Sequence, residues 1–156
     1  MSTMRFGAVC LGLPMLLLPL LGCPASLDAP AEEPPEGWVT IGTKKIAVEV
    51  ADTAVKQNRG LGYRDGLDWD TGMYFPYSQP VIPSFWMKGM RFPIDIIWIR
   101  GGRIIDVHHD VPFEPGGNGP TVRPREAADA VLEVPAGYTR ASGWRIGDRV
   151  AFERSA

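Results

Sequence analysis

From position 38 onward the chain alternates apolar and polar residues in short pieces bounded by turn formers. Residues 46–51, 84–88, 94–100, 103–109 and 130–134 carry the period of two that marks a strand. Gly101-Gly102, set between two β-branched runs, predicts a tight hairpin at 99–104. Two short stretches suit a helix instead. Asp52 or Thr53 caps one that runs to Arg59, with Gly60 as its left-handed exit, and the other covers 138–142 and stops at Gly143. Residues 112–124, rich in Pro and Gly, carry neither period and predict a long loop. Six or seven short strands with two small helices describe a mostly β, α+β fold: a small antiparallel β-barrel or sandwich.

The pattern is different before position 38. Residues 1–22 carry one charge, Arg5, followed by an apolar run over 6–21 that Pro14 and Pro19 interrupt. A membrane span needs about 20 apolar residues, so the run suits a secretory signal peptide better. Leu20-Leu21-Gly22-Cys23 resembles a bacterial lipobox, which makes Cys23 the expected lipid anchor and membrane contact. Residues 23–37 then form an acidic, Pro-rich tether and 38–156 a single globular domain. The expected location is the bacterial cell envelope after export. Pro24 in place of Asp after the anchor favours the periplasmic face of the outer membrane.

Charge and composition narrow the function. Sixteen basic and eighteen acidic residues give a net charge of −2, which leaves no field to hold a nucleic acid. Asp28, Glu32, Glu33 and Glu36 lie in the tether, so the domain itself carries +1. With 45% hydrophobic and 22% charged residues the whole chain suits a packed globular protein. Both cysteines, Cys10 and Cys23, precede the domain, which rules out thiol catalysis, a cysteine zinc site or a disulfide within it.

Several strings in the domain are distinctive: 48–53 (Val-Glu-Val-Ala-Asp-Thr), 59–64 (Arg-Gly-Leu-Gly-Tyr-Arg), 84–96 around Phe85-Trp86-Met87-Lys88, 131–137 (Val-Leu-Glu-Val-Pro-Ala-Gly) and 146–150. Together they resemble domain-of-unknown-function family 192, over about residues 44–153. The resemblance implies an exported or lipid-anchored context and leaves the activity open. This chain departs from the common pattern at Gly89-Met90, where many members have Asn-Thr, and at 121–126, where relatives often carry a Tyr-Ser-like segment. Residues 146–150 also resemble the Gly-Asp box of small barrels.

The densest chemistry lies in 85–95. Strand alternation puts Phe85 and Met87 on one face and Trp86 and Lys88 on the other. Met90 and Phe92 fall in the following turn, and Lys88 and Asp95 flank it as a candidate cross-strand ion pair. In a functional reading Trp86, Lys88, Asp95 and Arg59 or Arg64 line a cleft, with the indole as a plate and the charges fixing orientation. The candidate ligand-binding residues are therefore Arg59, Arg64, Trp86, Lys88, Met90, Phe92 and Asp95.

Other constellations are weaker. Asp106, His108 and Asp110 share a strand face, but their spacing of about 7 Å does not converge on one ion, so they read as solvated polar residues at a strand end. Asp65, Asp68 and Asp70 suit turns better than a glycosidase pair. No serine occupies a nucleophile elbow, and Gly116-Gly117-Asn118-Gly119 lacks the setting of a phosphate loop. Neither metal nor cofactor is expected. The expected function is a non-catalytic module that binds an envelope glycan, a small molecule or an envelope protein. The alternatives are an enzyme acting on an envelope polymer through Asp95 and Lys88, and a purely structural lipoprotein.

Overall fold

The computed structural model describes residues 34–156. The expected signal peptide, the anchor at Cys23 and all but the last few tether residues lie outside the described residues. The described chain runs β1 (Gly37–Ile41), β2 (Lys44–Val50), α1 (Ala54–Arg59), β3 (Thr71–Val81), β4 (Phe85–Trp86), β5 (Ile94–Arg100), β6 (Arg103–Val111), β7 (Thr121–Val122), β8 (Ala128–Pro135), α2 (Tyr138–Ala141) and β9 (Val150–Arg154). One seven-stranded sheet has the order β6-β5-β8-β3-β2-β1-β9, and β4 pairs with β7 in a small second sheet.

The two edges of the large sheet meet. Ile104 N–H donates to Asp148 O at 3.0 Å, Gly147 N–H to Ile104 O at 2.8 Å and Val150 N–H to Gly102 O at 2.9 Å. An antiparallel bridge between Arg103 and Arg149 completes the seam. The sheet thus curls into a small barrel, which satisfies backbone groups that open edges would leave unpaired. The expected class is correct apart from one pairing: β2 and β3 run parallel, from Ala47↔Thr71 to Val50↔Tyr74. Parallel neighbours need a long crossover, and α1 with the loop after it supplies one.

Local signals account for the turns and helix ends. Gly101 and Gly102 sit at φ 55° and 67°, the left-handed pair that a tight hairpin between β5 and β6 requires. Thr53 Oγ1 accepts from Lys56 N at 3.2 Å and caps α1. Gly60, at φ 50°, returns its N–H to Lys56 O and ends that helix. Gly143, at φ 70°, follows α2.

Strand parity sorts the apolar residues into two cores. Val39, Ile46, Val48, Ile97, Ile99, Ala130, Leu132 and Val134 join Tyr138 and Trp144 in one cluster. Alternate positions on the same strands (Met73, Phe75, Ile94, Ile96, Trp98 and Val131) form a second with Leu61, Met87 and Met90. The crossing segments after α1 and β4 cover this second face. The central strands β5 and β8 are consequently buried on both sides, and a charged residue on either must find a partner or a cavity.

Candidate functional site

The pairs Phe85↔Val122 and Trp86↔Thr121 hold β4 against β7, and Met87 N–H donates to Pro120 O at 3.0 Å. This pairing enforces the expected alternation. Phe85 turns inward to meet Phe75 and Trp98 edge-on, with centroids 4.9 Å and 5.3 Å away, and Met87 is buried. Trp86 points outward and is 54% exposed, with Lys88 exposed beyond it. An outward indole beside an inward aromatic cluster makes one wall of a cleft.

The cleft has a volume of about 170 Å³. Its opposite wall is the end of α1 with Gly60, Leu61 and Gly62, and its deeper lining comes from Phe75, Tyr77, Phe85 and Met90. Gly62 permits the close approach: a Cβ there would meet Arg59 O at 3.0 Å and Lys88 O at 3.4 Å.

Glu133 of β8 lies at the bottom. It is only 7% exposed, and its Oε2 is buried without a hydrogen-bond partner among the described residues. Burial pushes its carboxyl up from 4.5 to about 8, and the Arg64 guanidinium opposes this only in part. The group therefore holds its proton at neutral pH. Tyr77 is pushed up to about 12 by burial and then by the charge of Glu133. Sequence reasoning missed Glu133. Its signal is an acid inside a run, residues 128–134, that is otherwise apolar on both faces apart from Asp129.

The cations around the cleft fall into two groups. Lys56 is paired with Glu36 at 2.8 Å, and Arg64 is held by Glu49, with Nη2 to Oε2 at 2.8 Å. The Glu36 carboxyl is lowered first by its hydrogen bond from Lys56. Arg59 and Lys88 line the cleft itself, and neither has a carboxylate within 4.0 Å among the described residues.

Of the residues singled out from sequence, the structure brings Arg59, Trp86, Lys88 and Met90 to this cleft. Arg64 stands on the neighbouring groove with Glu49 and Arg59. Met90 is also part of the second core, and Phe92 packs against that core half-buried. Asp95 is elsewhere, and the expected ion pair with Lys88 does not form. Asp95 is fully buried and accepts from Asp110 N at 2.8 Å, Gly137 N at 3.1 Å, Thr139 N at 3.0 Å and Thr139 Oγ1 at 2.5 Å. Strand parity turns it away from Lys88, toward the first turn of α2.

The expectation of a solvated His108 is also corrected. Its Nδ1 accepts from Trp98 Nε1 at 2.8 Å, and Asp106, 5% exposed, accepts from the backbone N–H groups of Val107 and Arg125. His109 Nδ1 meets Thr139 Oγ1 at 2.7 Å and Asp110 pairs with Arg140, so each member of the strip has its own partner. Asp68 and Asp70 serve a turn: Asp68 O accepts from Thr71 N and Oγ1, and Asp70 sits at φ 64° and accepts from the Tyr138 hydroxyl.

The profile of DUF192, described as an uncharacterized ACR family, matches residues 37–152, which include every strand and helix that builds the cleft. The chain belongs to this family. No curated protein matches it. Among solved structures, a protein of unknown function from Novosphingobium aromaticivorans DSM 12444 is 29% identical, with a TM-score of 0.66 over 73% of this chain and 83% of that one. A proposed transcription regulator from Sinorhizobium meliloti 1021 is 28% identical, with a TM-score of 0.68 over 78% of this chain and 97% of that one. The DUF192 strings 59–64, 84–96 and 131–137 converge here, since the cleft takes Arg59, Trp86, Lys88 and Glu133 from them.

Proposed function

We propose that this DUF192 domain is a non-catalytic module that binds a small organic molecule in the cleft between α1 and β4. The observation that carries the reading is Glu133. A buried carboxyl without a partner costs stability unless something else repays it, on the order of 1–3 kcal/mol for an unsatisfied group. Placed at the bottom of a cleft whose mouth carries an exposed indole, it has the form of an orienting polar group in a ligand pocket. The volume suits a ligand of modest size, since a cavity of about 150 Å³ accepts benzene. The enzyme reading through Asp95 and Lys88 has no common site, because Asp95 does not line the cleft and its acceptor positions are taken.

The signal-like run over residues 6–21 and the lipobox-like Leu20-Leu21-Gly22-Cys23 support an exported protein anchored through Cys23, its cleft carried on an acidic tether. Cys23→Ser then releases the protein from membranes into the soluble fraction. Retention of the variant on membranes contradicts the anchor.

A thermal-shift screen of the full chain against ring-sized acids, amides, sugars and nucleobases tests the cleft. A ligand at a hundredfold excess over its dissociation constant adds about 2.7 kcal/mol to apparent stability. The expected result is a set of shifts that Trp86→Ala and Glu133→Ala, which removes the polar group, diminish while both variants stay folded. Shifts indifferent to both substitutions contradict the assignment.

A further inference from the structure

Three features of the cleft stand in a fixed order from outside to inside. Arg59 and Lys88 are exposed at the rim, Trp86 and Phe85 form an aromatic wall, and Glu133 lies buried at the bottom. Neighbouring cations are already neutralised, Lys56 by Glu36 and Arg64 by Glu49, whereas neither cation at the rim has a carboxylate within 4.0 Å among the described residues. A rim with two cations and no counter-ion selects an anion. A buried acid that keeps its proton offers a donor, and a donor enclosed by apolar walls discriminates strongly in favour of an acceptor. The two ends therefore ask for different groups on one molecule.

We infer that the cleft takes a small carboxylate whose anionic end meets Arg59 and Lys88 and whose inner end accepts a hydrogen bond from the Glu133 carboxylic acid, so that binding and protonation are linked. This rests on the cleft being a ligand site, as proposed above. The proton balance is simple. Where Glu133 is already a carboxylic acid, its O–H turns from an unpaired group into a donor to the ligand's carbonyl or ether oxygen. Where it is ionised, one proton must be taken from solvent on binding, because two acceptors facing each other in a buried site repel.

The groups that face Glu133 from the surrounding elements are few. Arg64 acts from the loop after α1, itself tied to Glu49 of β2. Tyr77 of β3 feels its charge, Arg59 of α1 and Lys88 after β4 line the same cleft without being among the charges that shift it, and the register partner on β5 is the uncharged Ile96. With Tyr77 near 12 and Glu133 near 8, the pH range 7 to 9 spans the titration of Glu133 and leaves Tyr77 neutral. The contribution of the remaining groups is removed by comparison with Glu133→Gln, which keeps a donor and has no proton to lose.

Two probes separate this inference from the broader reading. 4-Acetylbenzoate has a carboxylate at one end of a ring and a carbonyl acceptor at the other; 4-acetylbenzamide is its uncharged counterpart. Calorimetry on the full chain should show 4-acetylbenzoate binding at pH 7 and weakening roughly tenfold by pH 9, the ratio of protonated fractions for a group near 8. At pH 9, titrations in buffers of different ionisation enthalpy should show uptake of close to one proton per ligand, and at pH 7 only a small fraction of one. Glu133→Gln should bind the acid with neither effect, and Lys88→Ala should weaken the acid but not the amide. Equal affinity of the wild type for acid and amide, or binding of the acid with the same affinity at pH 7 and pH 9, overturns the inference and leaves the cleft as a ligand site. Failure of both probes while the screen finds other ligands sensitive to Trp86→Ala also overturns it. If the screen fails as well, both the inference and the reading beneath it fall.

Discussion

Glu133 shows how one residue can carry a cost that only its surroundings explain. Its carboxyl is raised from 4.5 to about 8 by burial, so the folded protein holds a proton that the unfolded chain has released between those values. Stability conferred by the protonated form is complete below about 4.5 and is lost as pH rises through about 8. The slope within that window is at most about 1.4 kcal/mol per pH unit. Glu133→Gln removes the titrating group, so its stability relative to wild type should rise from pH 5 to pH 8 and level off above. Urea denaturation of the full-length proteins at pH 5, 7 and 9 measures this. Parallel pH profiles for the two proteins would show that Glu133 is not a buried acid. Trp98 and His108 illustrate the opposite case: their mutual hydrogen bond lets a polar ring sit against the second core without an unpaired nitrogen on that side.

Asp95 joins elements. From β5 it receives a backbone N–H of β6, one ahead of α2 and one inside α2, with the Thr139 hydroxyl as a fourth donor. Asp95→Ala leaves all four without their acceptor in a buried place, which should lower the free energy of unfolding by about 3 kcal/mol or more. Because Asp95 does not line the cleft, ligand affinity of the fraction that remains folded should be unchanged; a loss of binding without loss of stability would return Asp95 to the site. The sequence announced elements whose causes are local. Thr53 and Gly60 bound α1, and Gly101-Gly102 makes the β5–β6 hairpin, because a cap and a left-handed turn depend only on near neighbours. Partnerships across the fold were not legible. Strand alternation suggests Lys88, on the same stretch, as the partner of Asp95, yet the real donors are 15 to 44 residues away. The β2–β3 pairing likewise follows from a crossover whose direction no local period records. For the cleft, the alternation in 85–88 put Trp86 and Lys88 on one outward face. Glu133 stayed hidden because a strand apolar on both sides gives no clue to which neighbour an isolated acid will face.

For the whole molecule, the curl of the sheet decides where a ligand can go. The inner cluster, from Val39 to Trp144, fills the barrel with close-packed side chains. The outer face of β5, β8 and β3 is covered by crossing chain segments that include the two-stranded β4–β7 sheet, and the cleft opens where α1 and β4 approach without closing. This places the proposed binding surface on the outside of the barrel, beside the charged pairs of Glu36, Lys56, Glu49 and Arg64. The same covering segments contain two of the strings that mark the DUF192 family, so the residues most distinctive in sequence are also those that shape the opening. The most direct measurement is backbone amide NMR of the full chain, titrated with the strongest ligand from the thermal-shift screen. The account predicts shifts concentrated at Gly60, Gly62, Trp86, Lys88 and Glu133. Shifts centred on the groove around Gly101, Gly102 and Arg149, or spread evenly over the barrel, would contradict it.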